Sequence, residues 1–221
     1  MQMVDDARVV VYLMTGFLES GKTSFLKQTI DKQYFKIDGT TVIILCEEGE
    51  EEYEEDLLAR AKAKIVTVED PEELTKEFLQ EVEDKYHPER VIFECNGMYP
   101  VSKMEALNVP DGWGLIQEIT TVDASTFDVY IANMKSLFVE MVRNADMVLF
   151  NRCTEDMPLA GYRRSVKVVN QGAQIIFEGA EGEIEDIFSD QMPYDLDAPV
   201  IKIESVSSYV TIVSGQCTIG I

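Results

Sequence analysis

The stretch GFLESGKTSFL, residues 16–26, sets Gly16 and Gly21 five apart, with Lys22 and Thr23 immediately after. This is the pattern G-x-x-x-x-G-K-[ST], and its chemistry is phosphate binding. Glycines let a loop close tightly, so that successive backbone N–H groups wrap an anion. The helix that follows points its positive end at the same anion. The backbone of residues 16–24, including Gly16, Glu19, Ser20, Gly21 and Ser24, would form the cradle. Lys22 would reach the β and γ oxygens of a nucleotide, and the Thr23 hydroxyl would bind Mg²⁺. An acidic Glu19 does not conflict with this, because variable loop positions offer backbone to phosphate and can turn their side chains outward. Mg²⁺ and its waters also need an acidic group at the end of another strand. Glu94, in VIFECNG and three residues before Gly97, supplies one. Lys22 and Glu94 are therefore the expected catalytic centre. The acidic run EEGEEEYEED (47–56) adds Glu47 and Glu50 as groups that would orient an attacking water. Its plainer reading is a solvated helix start, since carboxylates suit a helix N-terminus.

Such residues need a scaffold that ends strands and begins helices along one edge, and the rest of the chain reads that way. RVVVYLMTG predicts a buried strand, followed by a helix from about residue 22 to 32. TTVIILC, KIVTV, RVIFEC, LIQEITTVDA, DMVLFN and AQIIFE predict further strands. Between them lie helical patterns: EEDLLARAKA, DPEELTKEFLQEVEDKY with Asp70 as N-cap and Pro71 in first position, STFDVYIANMKSLFVEMVRNA capped by Ser125, and the basic AGYRRSVKVVN. Continuous apolar strands alternating with helices predict an α/β three-layer fold with a mostly parallel central sheet. Residues 1–189 form the expected nucleotide-binding domain. Residues 190–221 read as a C-terminal strand and tail, or as the start of a truncated second module.

The formal net charge is −22, which argues against nucleic acid and against an anionic membrane as partner. No apolar run is long enough to span a bilayer, and the N-terminus lacks a basic leader, so the expected location is the cytoplasm. Four widely separated cysteines make neither a disulfide framework nor a zinc-finger spacing. Cys46, Cys95 and Cys153 each close a predicted strand, at the edge where ligands bind in such sheets. Cys46 and Cys95 are candidates for a second, transition-metal site near Mg²⁺; inert packed thiols are the alternative. The one histidine, His87, sits in the surface-like KYHPER. Arg163, Arg164 and Lys167 share one helix, as a solvated face or as a dock for an acidic partner, such as the acidic run of a second copy in a homodimer.

Taken in order, the motifs resemble those of the CobW/HypB/UreG family of P-loop GTPases. GFLESGKT is similar to G-F-L-G-S-G-K-T, with Glu19 in place of a glycine, and Glu94 falls in an E-x-x-G pattern. CEEGEEEY is similar to N-E-F-G-E, TTVDA to V-V-D-A with Asp123, and ADMVLFNRCTED to A-D-x-I-L-L-N-K-x-D. VVNQGAQIIFE is similar to L-N-P-x-A-x-I. The resemblance implies a Mg²⁺-dependent P-loop nucleoside triphosphatase that binds GTP or ATP, with slow turnover driving a switch between partner-binding states. Asn151, Arg152 and Asn170 would border the base. A role in metal-cofactor insertion is also implied, with a metalloenzyme or transporter as client. Two departures qualify this. Thr154 stands where the family has the aspartate that reads guanine, and a hydroxyl cannot make that paired contact. The C-x-C-C metal cluster of many members is missing. The alternative function is a nucleotide-sensing regulatory module with little hydrolysis.

Overall fold

The computed structural model describes residues 7–46 and 52–179, together with short strands at 211–213 and 216–218. Its elements are β1 (Val9–Thr15), α1 (Lys22–Thr29), β2 (Thr40–Leu45), α2 (Glu55–Arg60), β3 (Ala63–Thr67), α3 (Lys76–Tyr86), β4 (Pro88–Glu94) and α4 (Val101–Glu105). They continue with β5 (Trp113–Asp123), α5 (Phe127–Asn133), α6 (Lys135–Arg143), β6 (Met147–Cys153), α7 (Leu159–Val169) and β7 (Gln174–Gly179), then β8 (Thr211–Val213) and β9 (Gln216–Thr218). The first seven strands form one sheet in the order β3-β2-β4-β1-β5-β6-β7, every pair parallel. β8 and β9 pair antiparallel with each other.

Both faces of the sheet are covered, which is why most of its strands read as apolar runs; β5 is the exception, with Gln117 and Glu118 buried inside it. Side chains alternate between two cores along each strand. Val9, Val11, Leu13, Val91 and Phe93 face one layer, built by α3, α4, α5, α6 and α7. Tyr12, Met14, Ile43, Ile92 and Leu149 face the other, built by α1 and α2. The result is the three-layer α/β arrangement expected of the sequence. β1 lies between β4 and β5, so the glycine loop emerges from the middle of the carboxyl edge.

Three expected boundaries move. α1 stops at Thr29, whose hydroxyl bonds back to the Phe25 carbonyl (2.7 Å), and Gln33–Phe35 follow as a 3₁₀ turn. Asp70 does not cap α3. Its carboxylate accepts from the Glu72 N–H (2.9 Å) in a separate turn, and the helix begins five residues on from Pro71, at Lys76. Thr75 is the N-cap, its hydroxyl accepting from the Phe78 N–H (3.2 Å). Ser125 is not a cap either, because its hydroxyl is taken by Asp123 Oδ1 (2.6 Å). The long helix after it breaks at Met134 into α5 and α6. There the Asn133 amide donates to the Val129 carbonyl (2.7 Å), a local bond that competes with continued helix. Of the C-terminal strand and tail expected over residues 190–221, only the strands at 211–213 and 216–218 are described, and the rest lies outside the described residues.

Candidate functional site

The site starts where β1 ends. Gly16 has φ +151, and a Cβ there would come within 2.3 Å of Ser20 Oγ and 2.6 Å of the Thr121 carbonyl. The side chains that exclude a Cβ also fix the loop: Ser20 Oγ and Thr121 Oγ1 are 2.7 Å apart and buried. Gly21 caps α1 in the left-handed region, φ +89, and a Cβ there would meet the Asn151 amide at 2.3 Å. Both glycines are required by geometry and by neighbours. Glu19 is left-handed too, at φ +59, and its side chain is exposed. The place where the resembled motif has glycine is thus one where glycine is the unstrained choice. Tyr130 of α5 stacks on Phe17 at 4.4 Å and closes the far side of the loop.

Lys22 is buried and folds back over the loop, its ammonium donating to the carbonyls of Gly16 (3.1 Å) and Phe17 (3.0 Å). Ser24 lies beside it in the first turn of α1. Thr23 donates to Glu94 Oε1 at 2.5 Å, joining the start of α1 to the end of β4. The other carboxylate oxygen, Oε2, accepts from the Tyr53 hydroxyl at 2.6 Å. Tyr53 is held there by its neighbours: Lys27 of α1 donates to the Glu52 carbonyl (3.2 Å) and pairs with Glu54 (2.7 Å). Gly97 ties the loop after β4 to the glycine loop, its N–H donating to the Gly16 carbonyl at 2.8 Å. A Cβ there would clash with Met141 Sδ at 2.2 Å. Thr23 and Glu94 together present hard oxygen donors next to a loop of backbone amides, a set suited to Mg²⁺ beside phosphate.

The end of β6 forms the other flank. The Asn151 amide donates to the Ser20 carbonyl at 2.8 Å. Its Oδ1 is the one buried side-chain polar atom among the described residues with no hydrogen-bond partner. Arg152, left-handed at φ +54, reaches across to the Glu19 carbonyl (3.0 Å) and to Asp123 Oδ2 (2.5 Å). Thr154 donates to Asp156 Oδ1 at 2.5 Å on the exposed loop beyond, and this bond holds the Asp156 carboxyl below its usual range. Burial pushes Glu178, at the end of β7, up to about 6, with Arg152 opposing. Burial also pushes the Cys153 thiol up to about 11.

The carboxyl edge therefore brings together Gly16, Glu19, Ser20, Gly21, Lys22, Thr23, Ser24, Glu94, Asn151 and Arg152. It does not bring Asn170. That residue lies at the opposite edge, before β7, where its amide donates to the Val142 (3.0 Å) and Ala145 (2.8 Å) carbonyls. Its Oδ1 accepts from the Gly172 and Ala173 N–H groups, both at 3.0 Å. An asparagine so fully used, at the amino ends of the strands, is structural, which corrects its expected place beside the base. Lys167 likewise serves its own loop, donating to the Gln171 and Ala173 carbonyls at 2.8 Å. Arg163 lies over the Phe177 ring. His87 is exposed and closes α3. Glu47 and Glu50 fall outside the described residues. Tyr53 and Thr121 are site residues that sequence reasoning missed. Tyr53 was visible only as one aromatic in an acidic run, and nothing local marked it.

The family model for the CobW/HypB/UreG nucleotide-binding domain matches residues 10–177, which spans β1 to β7. The chain belongs to this family. No curated protein matches the chain. Among solved structures, hydrogenase maturation factor HypB from Archaeoglobus fulgidus is 14% identical with a TM-score of 0.53, over 82% of this chain and 87% of that one. The Zn(II)-bound YjiA GTPase from E. coli is 21% identical with a TM-score of 0.55, over 76% of this chain and 56% of that one. HypB from Helicobacter pylori, in complex with nickel, is 14% identical with a TM-score of 0.50, over 80% and 82%. At these identities the likeness is one of fold, and this chain spans little more than half of YjiA. Within the CobW/HypB/UreG frame, the matched segment contains the glycine loop, Glu94 and Asn151, and it stops before Glu178.

Proposed function

We propose that this chain is a Mg²⁺-dependent nucleoside triphosphatase that prefers GTP to ATP and works as a nucleotide-driven switch. The observation that carries the reading is the meeting of Thr23 and Glu94 at 2.5 Å, beside a loop whose two glycines are fixed by what surrounds them. The amides of residues 16–24 bind the triphosphate, and Lys22 leaves its own loop carbonyls to neutralise the β and γ oxygens. Thr23 and Glu94 would hold Mg²⁺, which supplies positive charge to those same oxygens. Tyr53 orients Glu94. Glu47 and Glu50 are proposed to orient the attacking water. Asn151, whose Oδ1 has no partner in the fold, would touch the base. Asp156, steadied by Thr154, supplies the carboxylate that the usual position lacks. Two carboxylate acceptors suit the adjacent N–H donors of guanine better than adenine.

Membership of the CobW/HypB/UreG family supports a role in metal-cofactor insertion, with a metalloenzyme or transporter as the client. A cytoplasmic location is proposed with this role. No helix among the described residues is long and apolar enough to cross a membrane. The exposed Arg163 and Arg164 offer a basic face to an acidic partner, a second copy included. Hydrolysis is expected to be slow without such a partner.

Calorimetric titration with GTP and ATP, with and without Mg²⁺, tests the reading when joined to phosphate-release kinetics. The expected outcome is tighter, Mg²⁺-dependent GTP binding and slow phosphate release, both lost in Lys22→Ala. Tight binding with no release in the wild type would make the chain a nucleotide-sensing regulatory module instead. No binding of either nucleotide would overturn the proposal.

A further inference from the structure

Cys46 and Cys95 are register neighbours at the ends of parallel strands β2 and β4. The Cys46 N–H donates to the Glu94 carbonyl (3.0 Å), and the Cys95 N–H to the Met14 carbonyl (2.9 Å). Their sulfurs are 2.9 Å apart, and the thioether of Met104 from α4 is 3.9 Å from Cys95 Sγ. All three side chains are buried, at 4%, 1% and 3% exposure. The Cys46 thiol also lies 4.0 Å from the Ile44 carbonyl. Three sulfurs thus converge inside a layer otherwise made of Leu13, Phe93 and Val101. Met104 also lines a small apolar cavity with Leu13, Phe93 and Leu107, which gives its thioether room to turn.

We infer that Cys46, Cys95 and Met104 form a site for a soft, low-coordinate metal ion of the Cu(I) class. The donor set makes the choice. Two thiolates and a thioether select soft ions, whereas Mg²⁺ and Ca²⁺ require oxygen. Structural zinc takes four ligands of the Cys, His and carboxylate types. Among the described residues, no group of three or more His, Cys, Asp or Glu could hold a metal. Monovalent copper needs only two or three sulfurs and tolerates a dry pocket. Binding exchanges protons for metal, with no change of oxidation state: Cu⁺ and two thiols give a dithiolate complex and two protons, and Met104 joins as a neutral third donor. Bonds of about 2.3 Å at trigonal angles require the two cysteine sulfurs to part by roughly 1 Å. A change in side-chain torsion at a strand end provides that. Cys95 follows Glu94 directly, so the ion would sit behind the Mg²⁺ carboxylate. The site does not depend on the nucleotide reading, and its test uses no nucleotide.

Reduced protein is titrated anaerobically with Cu(I) buffered by a colorimetric chelator, and the loaded wild type is examined by X-ray absorption. The expected results are one Cu(I) per chain and a shell of two to three sulfurs without nitrogen or oxygen. Affinity should fall about a hundredfold in Cys46→Ser, fall about tenfold in Met104→Leu, and stay unchanged in Cys153→Ser. An oxygen or nitrogen shell in the wild type overturns the assignment without relying on any variant. So does uptake that Cys46→Ser leaves intact. A Cys46–Cys95 disulfide that persists in reductant and shuts out Cu(I) also overturns it.

Discussion

The two edges of the sheet bury polar side chains in opposite ways. At the amino edge Arg90, Trp113 and Asn170 close their hydrogen bonds within the chain. Arg90 donates to Thr41 Oγ1 (3.0 Å) and to the Phe35 carbonyl (2.5 Å), with its guanidinium over the Phe35 ring. Trp113 donates to Glu83 (2.8 Å), which also pairs with Arg8 (2.6 Å). Asn170 makes four bonds. The left-handed residues on that side, Lys62 and His87, close helices α2 and α3, where the conformation is ordinary. At the carboxyl edge the left-handed Glu19 and Arg152 close no helix, and Asn151 Oδ1 is buried without a partner. Strain and an orphaned acceptor together mark the edge built for something outside the chain.

The sharpest test of this contrast pairs one substitution from each edge. Gly21→Ala puts a methyl group on Asn151 in a backbone conformation that alanine resists. We expect nucleotide affinity to fall by more than about a hundredfold while the protein stays folded. Arg90→Met removes a buried charge and its bonds, at a cost of roughly 3 kcal/mol in stability. It should leave nucleotide affinity within twofold. Denaturant unfolding and calorimetry of both variants measure the crossover. If Arg90→Met weakens nucleotide binding as much as Gly21→Ala does, the two edges are not separable.

Glu118 of β5 sharpens the contrast on the amino side. Its N–H donates to Asp146 Oδ2 (2.8 Å), just before β6. Burial pushes its carboxyl up to about 9, with Glu105 and Asp146 adding to the shift. The folded protein keeps this group protonated where the unfolded chain would ionise it. Its contribution is therefore greatest below the ordinary glutamate value of 4.5 and is lost progressively as pH rises towards 9. The slope reaches up to about 1.4 kcal/mol per pH unit. Glu118→Gln should remove that slope, so that the variant gains on the wild type between pH 5 and pH 8. Parallel unfolding curves across this range would show that Glu118 is already ionised in the fold.

How far the sequence could be read follows the same division. Most of the seven parallel strands were legible because burial on both faces keeps polar residues out of the runs, as VVVYLM and TVIIL show; β5, with Gln117 and Glu118 inside it, was read from its flanking apolar residues. The glycine loop was legible because its glycines are demanded by backbone geometry, and backbone demands leave short local patterns. Tyr53 was not, since its role comes from meeting Glu94 forty-one positions away. Asn170 was misplaced because an asparagine before a strand looks the same at either edge, and only topology says which. Ser125 and Asp70 were misread as caps because a short side chain that can cap a helix can equally close a turn.

The smallest expected effect tests whether strain at the carboxyl edge serves the side chain or only the backbone. Glu19 holds φ +59 with its carboxylate exposed, while its carbonyl accepts from Arg152. A non-glycine residue in this region costs about 1–2 kcal/mol, and glycine gives back part of that gain through its looser unfolded state. Glu19→Gly should therefore stabilise the protein by about 0.5–1 kcal/mol. The loop amides and the Arg152 bond belong to the backbone, so nucleotide and Mg²⁺ affinities should not move. A gain in stability with a tenfold loss of Mg²⁺ or nucleotide affinity would mean that the Glu19 carboxylate is itself a ligand. The strain would then be the cost of placing a charge that the glycine of the family's usual loop cannot supply.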